Sequence, residues 1–294
     1  MQCEIDLLKK LLLYNSLLTP LDNNPEIYLS IACIAKDEVP YIKEWLEYHR
    51  IVGVQRFYFY DNESSQHQGN PGTLYTRRGG YIPVCDRQGN AMSGVSRCIL
   101  KARVHTRWLA VIDLDEFIVP IEHNTVPEIL KQLEAYPGVG IARLTFDYNN
   151  YLKPPTAHGG LVTANYTRVP KYPERDCRCG IKSIVNPSLV VYINNAHFFW
   201  FKSYLKFNTV SENFEQILGR TFKSDYYSTR KIRINHYHDR SIEDGRKKSV
   251  KGGTWAVANA KHKKRNVYLF KNIETINDYV IQKYLPRLKQ VMGI

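Results

Sequence analysis

Hydrophobic and polar positions change period repeatedly along this chain, and the changes mark alternating strands and helices. Ile27 to Ala35 (IYLSIACIA) is a short, apolar, β-rich run of the kind that forms a strand buried on both faces. Apolar residues at 41, 42, 45, 46 and 48 then fall at helical spacing, with Pro40 suited to a first turn and Gly53 to the stop. Arg56 to Tyr60 (RFYFY) predicts the next strand, with a polar loop beginning at Asp61-Asn62. Strand, helix and strand in this order predict a parallel pair with a right-handed crossover. The alternation continues through a Gly- and Gln-rich stretch over 66–80, a short strand at Tyr81–Val84 and a helix from about Ser93 to Thr106. A buried strand at Trp108–Ile112 follows.

Beyond Pro120 the pattern predicts a helix over Val126–Tyr136 and a strand over Gly140–Phe146. Residues 147–180 are rich in Tyr, Pro, Gly and charge and read as loops, of the kind that act as lids or substrate contacts. Strand signals return at Leu189–Ile193 and Ile232–Asn235, and a helix is expected around Ile276–Lys289. The whole reads as an α/β protein with a doubly wound sheet and sites at the carboxyl ends of the strands. Residues 1–26 carry an amphipathic helical pattern, Asp6 to Leu13, expected to pack on the domain or lie on a membrane, with packing favoured. No run approaches the ~20 apolar residues that cross a bilayer, and the N-terminus has no secretory pattern.

Composition narrows the choice of partner. Of 294 residues, 44% are hydrophobic and 23% charged, which argues against intrinsic disorder. The net charge of +13 suits nucleic acid, anionic lipid or a phosphate-bearing small molecule. Basic residues gather at Arg246-Lys247-Lys248, Lys251 and 261–265, without the motifs of a nucleic-acid reader. Six cysteines are scattered, Cys33 and Cys98 within apolar runs, and Cys177-Arg178-Cys179 has the wrong spacing for zinc. Reduced thiols and a cytoplasmic location are the expectation.

The candidate chemistry centres on Asp113-Leu114-Asp115, two carboxylates at i and i+2 just past a buried strand. Hard divalent cations such as Mg²⁺ or Mn²⁺ take oxygen ligands and tolerate partial hydration, so two carboxylates plus diphosphate oxygens suffice. A solvated acidic turn is the plainer reading of any isolated DxD; its place after the fourth strand of a βα series favours the metal. His236, in Asn235-His236-Tyr237-His238, could complete the coordination or simply hydrogen-bond at a strand end. At most one of His236 and His238 faces the same side. Lys247, Lys248 and Lys251 could neutralise a leaving diphosphate, and Asp61 could hold a base or ribose.

Several ordered blocks then carry a resemblance. Ile34-Ala35-Lys36-Asp37-Glu38, Tyr41 to His49, Gly53-Val54 and Phe57 to Asn62 resemble glycosyltransferase family 92 and its bacterial relatives. So do Trp108 to Ile118, Lys182 to Pro187 with His197-Phe198-Phe199, and Asn235-His236-Tyr237 with Ser241-Ile242-Glu243. The likeness runs over about residues 27–255 and departs from the family between 147 and 180. It implies a GT-A fold, a Rossmann-like and mainly parallel mixed sheet flanked by helices. The domain would span 27–270, with a nucleotide-sugar half at about 27–120, an acceptor half at about 140–270 and a C-terminal helix over 271–294.

The resemblance also implies a metal-dependent hexosyltransferase that inverts its sugar, with a UDP-linked donor favoured and Mn²⁺ or Mg²⁺ as cofactor. Asp115 and His236 would bind the metal, and Asp113 the metal or the ribose. Asp61, Lys248 and Lys251 would hold the nucleotide-sugar, with Lys36, Glu38 and Arg97 as further donor-site candidates. Inversion needs a base at the acceptor hydroxyl; Asp147 is the first candidate, then Glu174 and Asp176. A glycan or lipid-linked oligosaccharide would be the acceptor, in cell-surface polysaccharide synthesis, with peripheral contact to anionic membrane and no nucleic acid. A nucleotidyltransferase, or a basic nucleic-acid-binding protein without catalysis, remains the alternative. The first usually needs a glycine-rich basic signature after the first strand; the second predicts steep salt dependence without Mn²⁺ dependence.

Overall fold

The computed structural model describes residues 25–61, 81–83, 91–176, 180–195, 197–202, 208–218, 227–251 and 273–294. The first apolar run forms β1 (Ile27–Ala35), and its alternating side chains build two cores at once. Leu29, Ile31, Cys33 and Ala35 enter one core, Ala32 and Ile34 the other. Helix α1 (Val39–Ile51) covers the first core through Tyr41, Ile42, Trp45, Leu46 and Tyr48, and the chain leaves it at Gly53 with φ +102°. Three polar atoms on this face tie α1 to a distant strand. Trp45 Nε1 donates to Glu116 O at 2.8 Å, Tyr48 Oη to Ile118 O at 3.0 Å, and His49 Nε2 accepts Ile118 N–H at 3.2 Å.

Strand β2 (Arg56–Asp61) lies parallel to β1, β3 (Tyr81–Pro83) parallel to β2, and β4 (Thr106–Val111) parallel to β1 on its other side. Helix α2 (Ala91–Ala102) fills the second core with Val95, Cys98 and Ile99. The parallel half therefore follows the alternation read from sequence. Cys33 and Cys98 are buried and free, and burial pushes both thiols above their ordinary range.

The second half departs from a doubly wound sheet. Only Ile112–Asp115 separates β4 from β5 (Glu116–Pro120), too short for the dozen or more residues a parallel crossover requires. The chain turns instead, and β5 becomes the far edge of the sheet. Helix α3 (Val126–Leu130) and a 3₁₀ turn (Lys131–Leu133) replace the single helix expected to Tyr136. Strand β6 (Gly138–Thr145) follows, and β7 (Arg168–Pro170) lies off the main sheet. Strand β8 (Ile181–Val185) is inserted antiparallel between β4 and β6. Strands β9 (Val190–Asn195) and β10 (Phe198–Phe201) form their own antiparallel pair. Short β11 (Thr209–Val210) joins β6, and β12 (Ile232–His236) runs parallel to β6 and antiparallel to β5. The order is β3-β2-β1-β4-β8-β6-β12-β5, a mixed and mainly parallel sheet flanked by helices, as expected of the fold class.

Residues 147–176 hold more regular structure than their composition suggests. The segment contains a 3₁₀ turn (Pro155–His158), α4 (Val162–Asn165), β7 and α5 (Pro173–Asp176). Glu44 of α1 anchors it: the buried carboxylate accepts Val162 N–H and Thr163 N–H, each at 2.8 Å, and Thr163 Oγ1 at 2.8 Å. After β12 comes α6 (Ile242–Lys251). At the C-terminus, where one helix was expected over 276–289, β13 (Thr275–Asn277) pairs with β7, then a 3₁₀ turn leads into α7 (Leu285–Met292). Pro286 explains the late start, because proline suits a first helical turn and cannot sit inside one. Leu288 of α7 joins the first core. The amphipathic pattern at 1–24 lies outside the described residues, and among those described no helix is long and apolar enough to cross a membrane.

Candidate active site

The turn between β4 and β5 is closed by its own residues. Glu116 N–H donates to Asp113 O at 3.1 Å, and Asp113 N–H donates to Glu116 Oε2 at 3.0 Å. Tyr237 N–H, just past β12, donates to Asp115 O at 2.8 Å. Within this frame the two aspartates diverge. Asp113 Oδ2 is 2.8 Å from Lys182 Nζ on β8, whereas Asp115 Oδ1 is 3.7 Å from His236 Nε2 on β12. The DxD carboxylates thus have different partners, although the spacing suggested one shared site.

His236 sits opposite Glu116 in the β12–β5 register, and its carbonyl accepts Phe146 N–H at 2.9 Å. His238 packs edge-on against it at 5.1 Å between ring centroids and directs Nδ1 to Asp239 Oδ1 at 3.0 Å. Of the two histidines, His236 is the one beside Asp115.

Three cations wall the turn, Lys182 and Arg240 buried and Arg143 half-buried. Lys182 also lies 3.2 Å from Glu116 Oε2, and Arg143 lies 3.7 Å from Glu116 Oε1. Burial works against the Lys182 ammonium, but Asp113 and Glu116 more than offset it and raise its pKa. Burial likewise lifts the Glu116 carboxyl, against the pull of Lys182 and Arg143. On the other side Arg240 reaches Glu38 Oε2 at 2.5 Å and Leu114 O at 3.3 Å, with its guanidinium 3.6 Å from the Tyr41 ring centroid. Burial opposes that charge too, and Glu38 and Asp115 outweigh it. Sequence reasoning singled out neither Lys182 nor Arg240 for the site. Lys182 carried a signal nonetheless, a lysine beside Ser183 within a short run otherwise made of Ile and Val.

Asp147 follows Phe146 at the same edge of the sheet, buried, with Oδ2 3.3 Å from Arg168 Nη1. Burial raises its pKa, moderated by Arg168 and by the backbone N–H groups of Tyr148 and Asn149. Glu174 lies elsewhere. With Glu215, Tyr227 and Arg230 it lines a cavity of about 510 Å³ beside Lys231, at the start of β12 rather than at its His236 end. Lys36 directly follows β1, Arg97 lies half-buried on α2, and Glu38 is engaged by Arg240. Asp61 ends β2, Asp176 ends α5, and Lys248 and Lys251 lie on α6; their side chains, like residues 177–179, fall outside the description.

The donor set suits a hard divalent cation. Carboxylate oxygen and imidazole nitrogen are both appropriate ligands, and bonds of ~2.1 Å allow one ion to span the Asp115–His236 separation. Asp113, Asp115, Glu116 and Glu38 thus stand among Lys182, Arg143, Arg240 and His236. Among the described residues no three His, Cys, Asp or Glu side chains converge.

Comparison with known proteins gives a family match over the same region: the model for glycosyltransferase family 92 matches residues 27–290. A glycosyltransferase family 92 protein of Oryza sativa subsp. japonica is 28% identical over 191 residues, covering 63% of this chain and 31% of that protein. One from Arabidopsis thaliana is 23% identical over 259 residues, covering 81% of this chain and 44% of that protein. The chain therefore spans less than half the length of these two curated relatives. Among solved structures, Staphylococcus aureus TarS 1-349 aligns with a TM-score of 0.31 at 13% identity, over 55% of this chain and 48% of that one. Glucosyl-3-phosphoglycerate synthase from Mycobacterium tuberculosis, solved with Mn²⁺, UDP and glucosyl-3-phosphoglycerate, aligns with a TM-score of 0.31 at 13% identity, over 56% and 58%.

Proposed function

The chain belongs to glycosyltransferase family 92, and from that premise we propose that it is a metal-dependent glycosyltransferase. In this reading it moves a hexose from a UDP-linked donor to a glycan or lipid-linked acceptor, with inversion, in the synthesis of cell-surface polysaccharide. It works on the cytoplasmic side, where its surplus of positive charge favours an anionic membrane surface. The observation that carries the reading is the approach of Asp115 Oδ1 to His236 Nε2 at 3.7 Å, from the ends of two separate strands.

Asp115 and His236 would hold the cation, Mn²⁺ or Mg²⁺, which when bound would offset the negative charge that builds on the departing diphosphate. Asp61 holds the nucleoside, and Lys248 and Lys251 meet the diphosphate. Asp147 is the base: as the acceptor oxygen bonds to the anomeric carbon and the phosphate oxygen leaves, the hydroxyl proton passes to its carboxylate. Arg168, at 3.3 Å, keeps that carboxylate oriented.

Hydrolysis of UDP-, GDP- and CMP-sugars in the presence and absence of Mn²⁺ tests the donor and metal assignments together. Turnover of a UDP-hexose that stops when Mn²⁺ is chelated is expected. Equal turnover after chelation contradicts metal dependence, and turnover confined to a GDP- or CMP-sugar contradicts the donor assignment.

A further inference from the structure

Lys182 stands on β8, and its side chain is only 1% exposed. Taking an ammonium that far from water is unfavourable, and such a lysine persists where carboxylates compensate it. Two do so here, Asp113 Oδ2 at 2.8 Å and Glu116 Oε2 at 3.2 Å. They are the first and last residues of the turn that carries Asp115, and Glu116 Oε2 also accepts the Asp113 N–H. One ammonium therefore ties both ends of the turn to a strand lying beside β4. The opposite side is gripped by backbone contacts, from Arg240 to Leu114 O and from Tyr237 N–H to Asp115 O.

We propose that Lys182 is a positioning residue, which clamps Asp113 and Glu116 so that the turn presents Asp115 to His236 as a cation-binding pair. The proposal rests on the cation-binding reading of that pair. It assigns Asp113 to the lysine and leaves Asp115 to the metal. It also makes a prediction of unusual sign. Removing a positive charge beside a cation site strengthens cation binding if electrostatics alone acts, whereas loss of a clamp weakens it.

The test uses K182M and, because that change leaves two buried acids without their ammonium, also K182M/E116Q, which removes one charge of each sign. E116Q alone is the reference for the double variant and isolates the lysine. Amide hydrogen exchange at Asp113 and Glu116 is measured without metal, and Mn²⁺ affinity by electron paramagnetic resonance. Exchange in the turn should rise at least tenfold and Mn²⁺ affinity should fall at least tenfold, in K182M against the unaltered protein and in the double variant against E116Q. If K182M does not fold, the double variant carries the test. Unchanged exchange in the turn, or Mn²⁺ bound as tightly or more tightly, overturns the proposal. Failure of the unaltered protein to bind Mn²⁺ overturns the cation reading instead, and turn exchange then decides the role of Lys182.

Discussion

Arg240 Nη1 lies 2.5 Å from Glu38 Oε2, so a residue just past β12 is locked to the one that opens α1. The same guanidinium donates to Leu114 O between the two aspartates, and its own carbonyl accepts the Tyr166 hydroxyl. One residue thus joins the loop after β1 and the acidic turn through its side chain, and Tyr166, just past α4, through its backbone carbonyl. Glu38, expected from sequence to contact a nucleotide-sugar, is already occupied with this work.

Breaking that link should be expensive. R240M leaves Glu38 without its partner and removes a hydrogen bond from Leu114 O, which should cost about 3–5 kcal/mol. Urea unfolding at neutral pH measures it, and a loss below about 1 kcal/mol would show that solvent replaces the contact.

Glu44 carries a similar test for segment 147–180. E44A leaves the Val162 and Thr163 N–H groups and the Thr163 hydroxyl without their acceptor and should destabilise the protein by about 2–3 kcal/mol. Limited proteolysis should then cut first within 147–180. Cleavage that stays unchanged in pattern and rate would mean other contacts hold the segment.

Acid sensitivity follows from His49. Ile118 N–H donates to Nε2, so the ring carries its proton on Nδ1, which donates to Trp45 O at 2.8 Å. Burial lowers its pKa to about 3. A histidine that is neutral when folded and titrates normally when unfolded contributes stability in full above its unfolded pKa of roughly 6.5, and that contribution falls as pH drops towards the folded value. His197 acts in the same direction, lowered to about 4 by burial and by Lys182. His49 alone should remove about 2–3 kcal/mol between pH 6.5 and 4.5. H49Q should be less stable at pH 7.5 but lose less on acidification; an equally steep acid slope in H49Q would reject this assignment.

Asp147 is the group whose removal should slow transfer without loosening the donor. D147N should lower kcat at least 100-fold, with the donor KM changed by no more than about threefold. A kcat within threefold of the unaltered enzyme would exclude Asp147 as the base and send the search to other acids.

What could be read from the chain followed its uninterrupted apolar runs. IYLSIACIA and RFYFY formed β1 and β2 at nearly the expected bounds, because strands buried on both faces announce themselves by composition. Strand β8 (IKSIV) was not expected, since Lys182 and Ser183 interrupt its apolar pattern and find their reason only in tertiary contacts. Strand β5 was hidden for another reason: it follows the aspartates immediately and pairs with β12, a partner far away in sequence. At the site, spacing and strand-end position singled out Asp113 and Asp115 together and left His236 open; the structure puts Asp115 Oδ1 3.7 Å from His236 Nε2. Spacing could not reveal that Asp113 turns towards a buried lysine, or that Glu174 lines a separate cavity. Both depend on how strands distant along the chain are ordered in the sheet.

In the proposed function Asp115, with His236, grips a divalent ion that in turn holds a nucleotide diphosphate. Calorimetric titration of UDP with and without Mn²⁺, in the unaltered protein and in D115A, tests it most directly. Binding that requires Mn²⁺ and weakens at least tenfold in D115A is expected; UDP binding of equal strength without the metal, or in D115A, would refute the cation's role.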